Sequence, residues 1–149
     1  MIKGIIINKL KIIPDERGEI MHMIKKSDEN FSKFGEIYFA TAYPGVVKGW
    51  HLHKTQEQNY CVIKGMIKLV IYDPREDSPT FKEVQEIFLG EKNYSIVKIP
   101  PGLVNGWKCI GTEKAILANC SNEEHRKDEM ERIDPSSKSI PYNWDIVIK

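Results

Sequence analysis

Apolar and β-branched residues recur in short stretches along most of this sequence, and each stretch ends at glycine, proline or a polar turn. The segment 37–43, for example, is rich in aromatic and β-branched residues and stops at Pro44-Gly45. Strands bounded by turn residues have this composition. The same pattern predicts further strands at 20–24, 59–63, 66–72, 84–89, 94–99, 106–110 and 115–120.

The spacing of these stretches predicts an all-β chain. Many short strands at nearly even intervals, without long helical segments between them, favour a β-sandwich or a barrel. Lys64-Gly65 separates two of the strands and predicts a tight hairpin there. Two segments have weak helical character: we expect a turn of helix at 28–34, and a helix or an ordered loop in the charged segment 123–132.

Composition and charge narrow the possible partners. The chain has 149 residues, 22 Lys plus Arg and 21 Asp plus Glu, so its net charge is +1. This balance gives no electrostatic reason to expect nucleic acid or an anionic membrane as a partner. The apolar runs are all shorter than the ~18 residues of a membrane span. The first residues are too short an apolar run for a signal peptide, so we expect a cytoplasmic protein.

The three cysteines suggest neither a disulfide framework nor a zinc ribbon. Their number is odd, and no two of them are spaced as Cys-x-x-Cys. All three lie within apolar stretches, so we expect them to be small buried residues of strands.

The most informative stretch for chemistry contains His51 and His53. Residues two apart on a strand point to the same face, so both imidazoles are expected in one cavity, with Glu57 or Gln58 near them. Such a set fits a metal site, because imidazoles and a carboxylate suit zinc, iron or manganese. It equally fits a general base, because imidazole titrates near neutral pH. A purely structural role for the histidines is the third interpretation.

The order of glycine, His-x-His, glutamate and glycine from Gly45 to Gly65 resembles the first motif of the cupins, which are double-stranded β-helix barrels. Their second motif, Pro-x-Gly-x-x-His, is similar to residues 100–105. Asn105 stands where that motif has its metal-binding histidine, and a neutral amide is a poor ligand for zinc or iron. The resemblance implies an all-β cupin jelly roll with short peripheral helices, and the departure at Asn105 argues against a bound metal.

A closer resemblance covers nearly the whole chain and is to the dTDP-4-dehydrorhamnose 3,5-epimerase family, whose members are metal-free cupins. The matching segments occur in the family's order and are 15–18, 48–51, 73–81, 99–107 and 134–140. The resemblance implies one cupin domain over residues 1–149, no cofactor, and a nucleotide-linked 4-keto-6-deoxy sugar as substrate. It also implies a homodimer.

The family resemblance assigns roles to four residues. His51 matches the base that removes a proton next to the sugar ketone, and Asp134 matches the carboxylate that orients and charges that histidine. Arg17 matches a residue that holds the pyrophosphate, because a guanidinium fork suits phosphate oxygens. Lys48 stands where the family has a second phosphate-binding arginine, and it keeps the charge without the bidentate geometry.

Two positions depart from the family pattern. Gln58 aligns with the lysine that donates to the enolate oxygen, and Ala118 aligns with the tyrosine that acts as the acid. Double epimerisation is therefore in question. We expect Gln58 and Asn105 to contact the substrate.

The stretch 38–65 also resembles the sugar 3,4-ketoisomerases, in which both histidines move protons without a metal. This resemblance implies a catalytic role for His53 and makes Tyr38 the candidate acid. Three function classes thus remain: a nucleotide-sugar epimerase or isomerase, a metal-dependent cupin enzyme, and a non-catalytic cupin that binds a sugar or a nucleotide.

Overall fold

The computed structural model describes residues 1–146 as a set of short strands joined by turns and loops. The strands are β1 (Ile6–Lys9), β2 (Ile12–Asp15), β3 (Gly18–Met21), β4 (Glu36–Ala42), β5 (Val47–His53), β6 (Gln58–Lys64), β7 (Met66–Tyr72), β8 (Val84–Gly90), β9 (Ser95–Ile99), β10 (Val104–Cys109), β11 (Ala115–Ser121) and β12 (Met130–Arg132). The described part of the chain contains no helix, and so none long and apolar enough to cross a membrane.

Two five-stranded antiparallel sheets form the body of the protein. The first, here called the β6 sheet, has the order β1-β9-β6-β11-β4, and the second, the β7 sheet, has the order β12-β5-β10-β7-β8. Strands β2 and β3 pair only with each other, as a separate hairpin. Alternating apolar side chains of both sheets make one core; Val62, Val97 and Leu117 come from the β6 sheet, and Leu69 and Ile71 from the β7 sheet. This arrangement confirms the all-β jelly roll predicted from the sequence.

The predicted hairpin at Lys64-Gly65 is wrong, because β6 and β7 belong to different sheets. Gly65 has φ +73°, and a Cβ at this position would lie 3.1 Å from Cα of Ala115. Only glycine takes such a turn without steric strain. The chain therefore uses this single residue to cross from one sheet to the other, whereas a local turn signal cannot distinguish a crossing from a hairpin.

The turn of helix predicted at 28–34 is also wrong, and of the two alternatives for 123–132 the structure has the ordered loop and not the helix. Residues 28–34 form turns in which Asn30 is buried and accepts a hydrogen bond from Asn8. Residues 123–132 form an irregular segment that ends in β12, whose partner is β5. The backbone of this segment is satisfied by distant residues; Lys54 N, for example, donates to Glu129 O. Long-range pairing of this kind overrides a weak local helical tendency.

A second apolar cluster covers the outer face of the β7 sheet. Trp50 and Trp144 pack with ring centroids 4.7 Å apart. A Cβ at Gly106 would lie 3.0 Å from the ring of Trp50, so the two indoles fit because this strand position has no side chain. Trp50 is therefore a packing residue, and its neighbour His51 in β5 faces the interior of the sandwich.

Candidate active site

A cavity of about 600 Å³ opens between the two sheets beside β4, β5 and β12. Its lining combines apolar side chains with cationic and phenolic groups. The lining residues are Glu36, Tyr38, Ala40, Val47, Lys48, Gly49, His51, His53, Gln56, Tyr60, Trp107, Leu117, His125, Met130 and Arg132.

Strand alternation in β5 places both candidate histidines in this cavity. His51 and His53 line the cavity. Trp50, which precedes His51, and Leu52, which lies between the two histidines, pack into the outer apolar cluster. Successive strand residues face opposite sides of a sheet, so one register decides all four positions. The prediction that the two imidazoles share one cavity is confirmed.

His51 is held in the neutral form by its surroundings. Burial disfavours the charged imidazolium, and charge interactions with His53, Arg132 and Lys48 add to this, so the pKa of His51 falls to about 4. A neutral imidazole has a free lone pair at physiological pH. His51 can therefore accept a proton from a substrate without first having to lose one.

Two permanent cations flank His51. Lys48 lies on the same strand, with its ammonium 5.8 Å from the centroid of the Trp107 ring. Arg132 of β12 is the direct cross-strand partner of His51. The sequence analysis missed Arg132, because its place depends on the pairing of β12 with β5, and the charged segment around it gave no strand signal.

Phenolic groups reach the cavity from the opposite sheet. Tyr38 of β4 and Tyr60 of β6 both line it. Burial raises the pKa of Tyr38 and of Tyr60, so both are protonated at neutral pH and can donate a hydrogen. Tyr38, the candidate acid by resemblance, lies on the wall of the cavity across from β5.

Asn105 connects the two sheets next to His51. It is the cross-strand partner of His51 in β10, and its Oδ1 accepts a hydrogen bond of 3.3 Å from Tyr60 Oη. Asn105 is 1% exposed, and its Nδ2 has no hydrogen-bond partner among the described residues. A buried amide hydrogen without a partner costs free energy. Asn105, which was expected to contact the substrate, does not line the cavity.

His53 is oriented by a carboxylate that the sequence analysis did not identify. Glu129 Oε2 lies 2.9 Å from His53 Nδ1, and both side chains are almost fully buried. Burial alone raises the pKa of Glu129, but hydrogen bonds from His53 and from the backbone of Gln56 and Thr55 outweigh it and keep the pKa low. Glu129 is 76 positions from His53 in the chain, so no local motif marks the pair.

Asp134, predicted to orient His51, is placed differently. Its side chain is exposed on a turn, where Oδ1 accepts hydrogen bonds from the backbone and the hydroxyl of Ser136. These bonds lower the pKa of Asp134. Asp134 does not line the cavity and makes no hydrogen bond to His51 within residues 1–146. The predicted His51–Asp134 pair is thus replaced by a His53–Glu129 pair.

Gln58 and Ala118 also differ from the expectations. Gln58 is 1% exposed, and its amide donates to Gln56 Oε1 and accepts from Asn119, so it is occupied within the protein and does not line the cavity. Ala118 is the cross-strand partner of Phe39, whereas its neighbour Asn119 is the partner of Tyr38. Tyr38 faces the cavity, so Ala118 faces away from it. Position 118 is therefore not the place of the missing acid in this fold.

Arg17 lies outside the cavity of its own chain. It sits at the turn between β2 and β3, its side chain is 84% exposed, and it pairs with Asp15. Within one chain, the structure does not bring Arg17 together with Lys48 or Arg132.

The candidate metal ligands are not assembled either. Glu57, the carboxylate expected near the histidines, instead forms an ion pair of 3.2 Å with Lys98 and accepts a hydrogen bond from Ser32. Among residues 1–146, no group of three or more His, Cys, Asp or Glu side chains is arranged to hold a metal ion. Of the expected metal ligands, the two histidines therefore line the cavity, whereas Glu57 lies outside it.

Known proteins resemble this chain over nearly its whole length. The model of the dTDP-4-dehydrorhamnose 3,5-epimerase family matches residues 1–149. The probable low-salt glycan biosynthesis epimerase Agl13 of Haloferax volcanii is 32% identical over 139 residues, which are 92% of this chain and 86% of that protein. The spore coat polysaccharide biosynthesis protein SpsL of Bacillus subtilis is 29% identical over 146 residues, 97% of either chain.

Among solved structures, the dTDP sugar isomerase of Desulfovibrio desulfuricans G20 superposes with a TM-score of 0.94 at 38% identity, covering 96% of this chain and 92% of that one. The fold is thus shared with this protein over nearly the whole chain.

Proposed function

The chain belongs to the dTDP-4-dehydrorhamnose 3,5-epimerase family, an isomerase family of dTDP-sugar metabolism, and from this premise we propose that His51 is its catalytic base. The substrate is a dTDP-linked 4-keto-6-deoxy sugar used for surface polysaccharides or other glycans. The observation that carries this proposal is the neutral, half-buried His51 among the cationic groups of one cavity.

The proposed reaction begins with proton abstraction next to the ketone. His51 takes the proton from the carbon, the C–H electron pair forms a carbon–carbon double bond, and the carbonyl oxygen becomes the enolate oxygen. Tyr38, on the opposite wall, returns a proton to the other face of the same carbon and so inverts it. The raised pKa of Tyr38 keeps the phenol protonated until it donates its proton to the carbanion.

Lys48 and Arg132 are the proposed anchors of the diphosphate. Both line the cavity next to His51, and a guanidinium and an ammonium together bind a diphosphate well. Anchoring the diphosphate there places the sugar over β5 and leaves the nucleoside to extend toward the rim.

A 3,4-ketoisomerase is the second candidate, because His51 and His53 share the cavity. Ketoisomerisation moves one proton from C3 to C4 and another from the C3 hydroxyl to the C4 oxygen, so it needs two proton-transfer groups, and β5 supplies them. Solvent deuterium exchange with dTDP-4-keto-6-deoxyglucose separates the outcomes. Deuterium at C3 and C5 indicates double epimerisation, deuterium at C3 alone indicates a single epimerisation, and deuterium at C4 of a 3-keto product indicates ketoisomerisation. No exchange with any dTDP-4-keto sugar contradicts the enzyme proposal and favours a binding protein.

We also propose that the protein acts as a homodimer in which Arg17 serves the partner's cavity. Two observations support this: Arg17 projects from an isolated hairpin, and the edge strand β4 exposes Ile37 and Phe39, which are 52% and 63% exposed. Ile20 of the same hairpin is 62% exposed as well. An exposed apolar edge of this kind is usually covered by another chain.

A complementation experiment tests the dimer. Arg17→Ala and His51→Gln are each expected to be nearly inactive, and mixing the two after dissociation is expected to restore activity, because one cavity of the mixed dimer then holds both native residues. A monomeric mass in solution, or a mixture without recovered activity, contradicts the proposal.

A cytoplasmic location is proposed on the basis of three free buried cysteines, which suit a reducing compartment.

A further inference from the structure

The buried pair of His53 and Glu129 supplies a function that the proposed reaction requires and that none of the roles above fills. The enolate oxygen needs a donor as its negative charge develops, and a preorganised cationic donor is the most effective kind. In the resembling family a lysine serves, but Gln58 at the aligned position is buried and hydrogen-bonded on both sides of its amide. The donor must therefore come from another residue of the cavity.

Glu129 fixes which nitrogen of His53 is free. The carboxylate accepts from His53 Nδ1 at 2.9 Å and from the backbone N–H groups of Gln56 at 3.0 Å and Thr55 at 3.3 Å. Its side chain is 1% exposed, so these bonds are shielded from water. An acceptor on Nδ1 means that Nδ1 carries a hydrogen, so Nε2 donates to the cavity only when the ring holds a second proton as the imidazolium.

The spacing on β5 suits the reaction. Residues two apart on a strand are separated by roughly 7 Å along its axis. That span accommodates the reacting carbon at contact distance from one imidazole and the neighbouring carbonyl oxygen at hydrogen-bonding distance from the other. If His51 meets the carbon, His53 meets the oxygen.

We propose that Glu129 is a positioning residue that holds His53 so that its Nε2–H donates to the enolate oxygen. In this step His51 takes the proton from carbon, the electron pair moves through the new double bond onto oxygen, and the imidazolium of His53 stabilises that charge. The ionised carboxylate of Glu129 offsets the imidazolium charge of His53 in this buried part of the cavity wall. The inference rests on the proposed function, since it assigns a group to the enolate that the proposed reaction forms.

Glu129→Gln tests this role, because its one amide oxygen can still accept from the backbone N–H groups of Gln56 and Thr55, whereas an uncharged NH2 replaces the carboxylate oxygen that accepts from His53 Nδ1. We expect kcat for deuterium exchange to fall by about 10- to 100-fold with KM nearly unchanged. The ¹⁵N resonances of the His53 ring should also shift in the variant. Glu131→Gln is the matched control, since Glu131 lies two residues away on β12 and pairs on the surface with Lys54. It should leave both readouts at the wild-type values.

A double-mutant cycle with His53→Gln adds a second test that does not depend on Glu129→Gln alone. If Glu129 acts through His53, the double variant is no slower than His53→Gln. Additive losses, an unchanged kcat in Glu129→Gln, or unchanged ¹⁵N resonances each overturn the inference. Wild-type protein that exchanges no deuterium contradicts the proposed function instead, while the ¹⁵N spectra still report whether Glu129 sets the state of the His53 ring.

Discussion

Arg132 lies directly opposite His51 in the register of β12 and β5 and is one of the groups that lower the pKa of that histidine. The same guanidinium is a proposed diphosphate anchor. Removal of its charge should therefore affect two quantities, the proton affinity of His51 and the affinity for the nucleotide.

We predict that Arg132→Gln raises the pKa of His51 from about 4 and increases KM for the dTDP-sugar. Loss of the positive charge of Arg132 makes the imidazolium form of His51 less unfavourable, and loss of the guanidinium, with its paired N–H donors, weakens phosphate binding. An NMR titration of the His51 ring protons measures the first effect, and initial rates measure the second. Arg126→Gln is the control, because Arg126 pairs with Glu123 and Asp128 on the surface. An unchanged His51 titration would show that Arg132 does not act on the base.

We predict further that dTDP raises the pKa of His51 in the wild type, because the diphosphate neutralises the same cations. Substrate binding would then increase the basicity of His51 at the moment when it is needed. The titration of His51 with and without dTDP measures this shift. A downward shift in the presence of dTDP would contradict the placement of the diphosphate beside His51.

His51→Gln should reduce deuterium exchange by at least about 100-fold, the usual contribution of a general base. The amide fills a similar volume but has no basic nitrogen, so the fold and dTDP binding should be retained. His22→Gln provides the control, since His22 does not line the cavity. Exchange that survives in His51→Gln at a comparable rate would move the role of base to His53.

Tyr38→Phe should separate proton removal from proton return. If Tyr38 is the acid on the far wall, the variant still exchanges the C–H proton through His51 but forms little inverted product. NMR of the sugar after incubation in deuterium oxide reports both quantities at once. Equal loss of exchange and inversion would place Tyr38 in substrate binding instead.

The sequence predicted the parts of this fold and site that depend on local alternation. The predicted strand at 66–72 has the bounds of β7, and the interval of two between His51 and His53 correctly placed both in one cavity. The partners of these histidines could not be predicted in the same way. Glu129 and Arg132 reach β5 only through the pairing of β12, and their dense charged segment has no strand pattern.

Alignment with a family pattern was misleading where the register of the sandwich decides the outcome. Asp134 matches the family motif but bonds with Ser136 on an exposed turn. Ala118 matches the acid position but faces the side of β11 away from the cavity, because Asn119 is the residue opposite Tyr38. In a strand, a displacement of one residue exchanges the two faces, so a motif match alone does not establish which side chain enters a site.

Asp73 offers a test of stability that is independent of the active site. Its carboxylate is fully buried and accepts hydrogen bonds from Arg75, Ser78 and Thr80. Burial alone raises the pKa of Asp73, but these bonds outweigh it and hold the pKa well below its ordinary value. The folded state thus favours the ionised carboxylate.

We predict that Asp73→Asn lowers the free energy of unfolding at pH 7 by about 3 kcal/mol, because it leaves Arg75 without its charged partner and the hydroxyls with a poorer acceptor. The stabilisation by Asp73 is present above the ordinary carboxyl pKa of about 4 and is lost as pH falls below it, since the unfolded chain takes up the proton first. The wild type should therefore lose stability more steeply than the variant below about pH 4. Urea unfolding at several pH values measures this difference, with the exposed Asp77→Asn as control. Parallel pH curves for the wild type and Asp73→Asn would contradict the assignment of this stabilisation to the charge of Asp73.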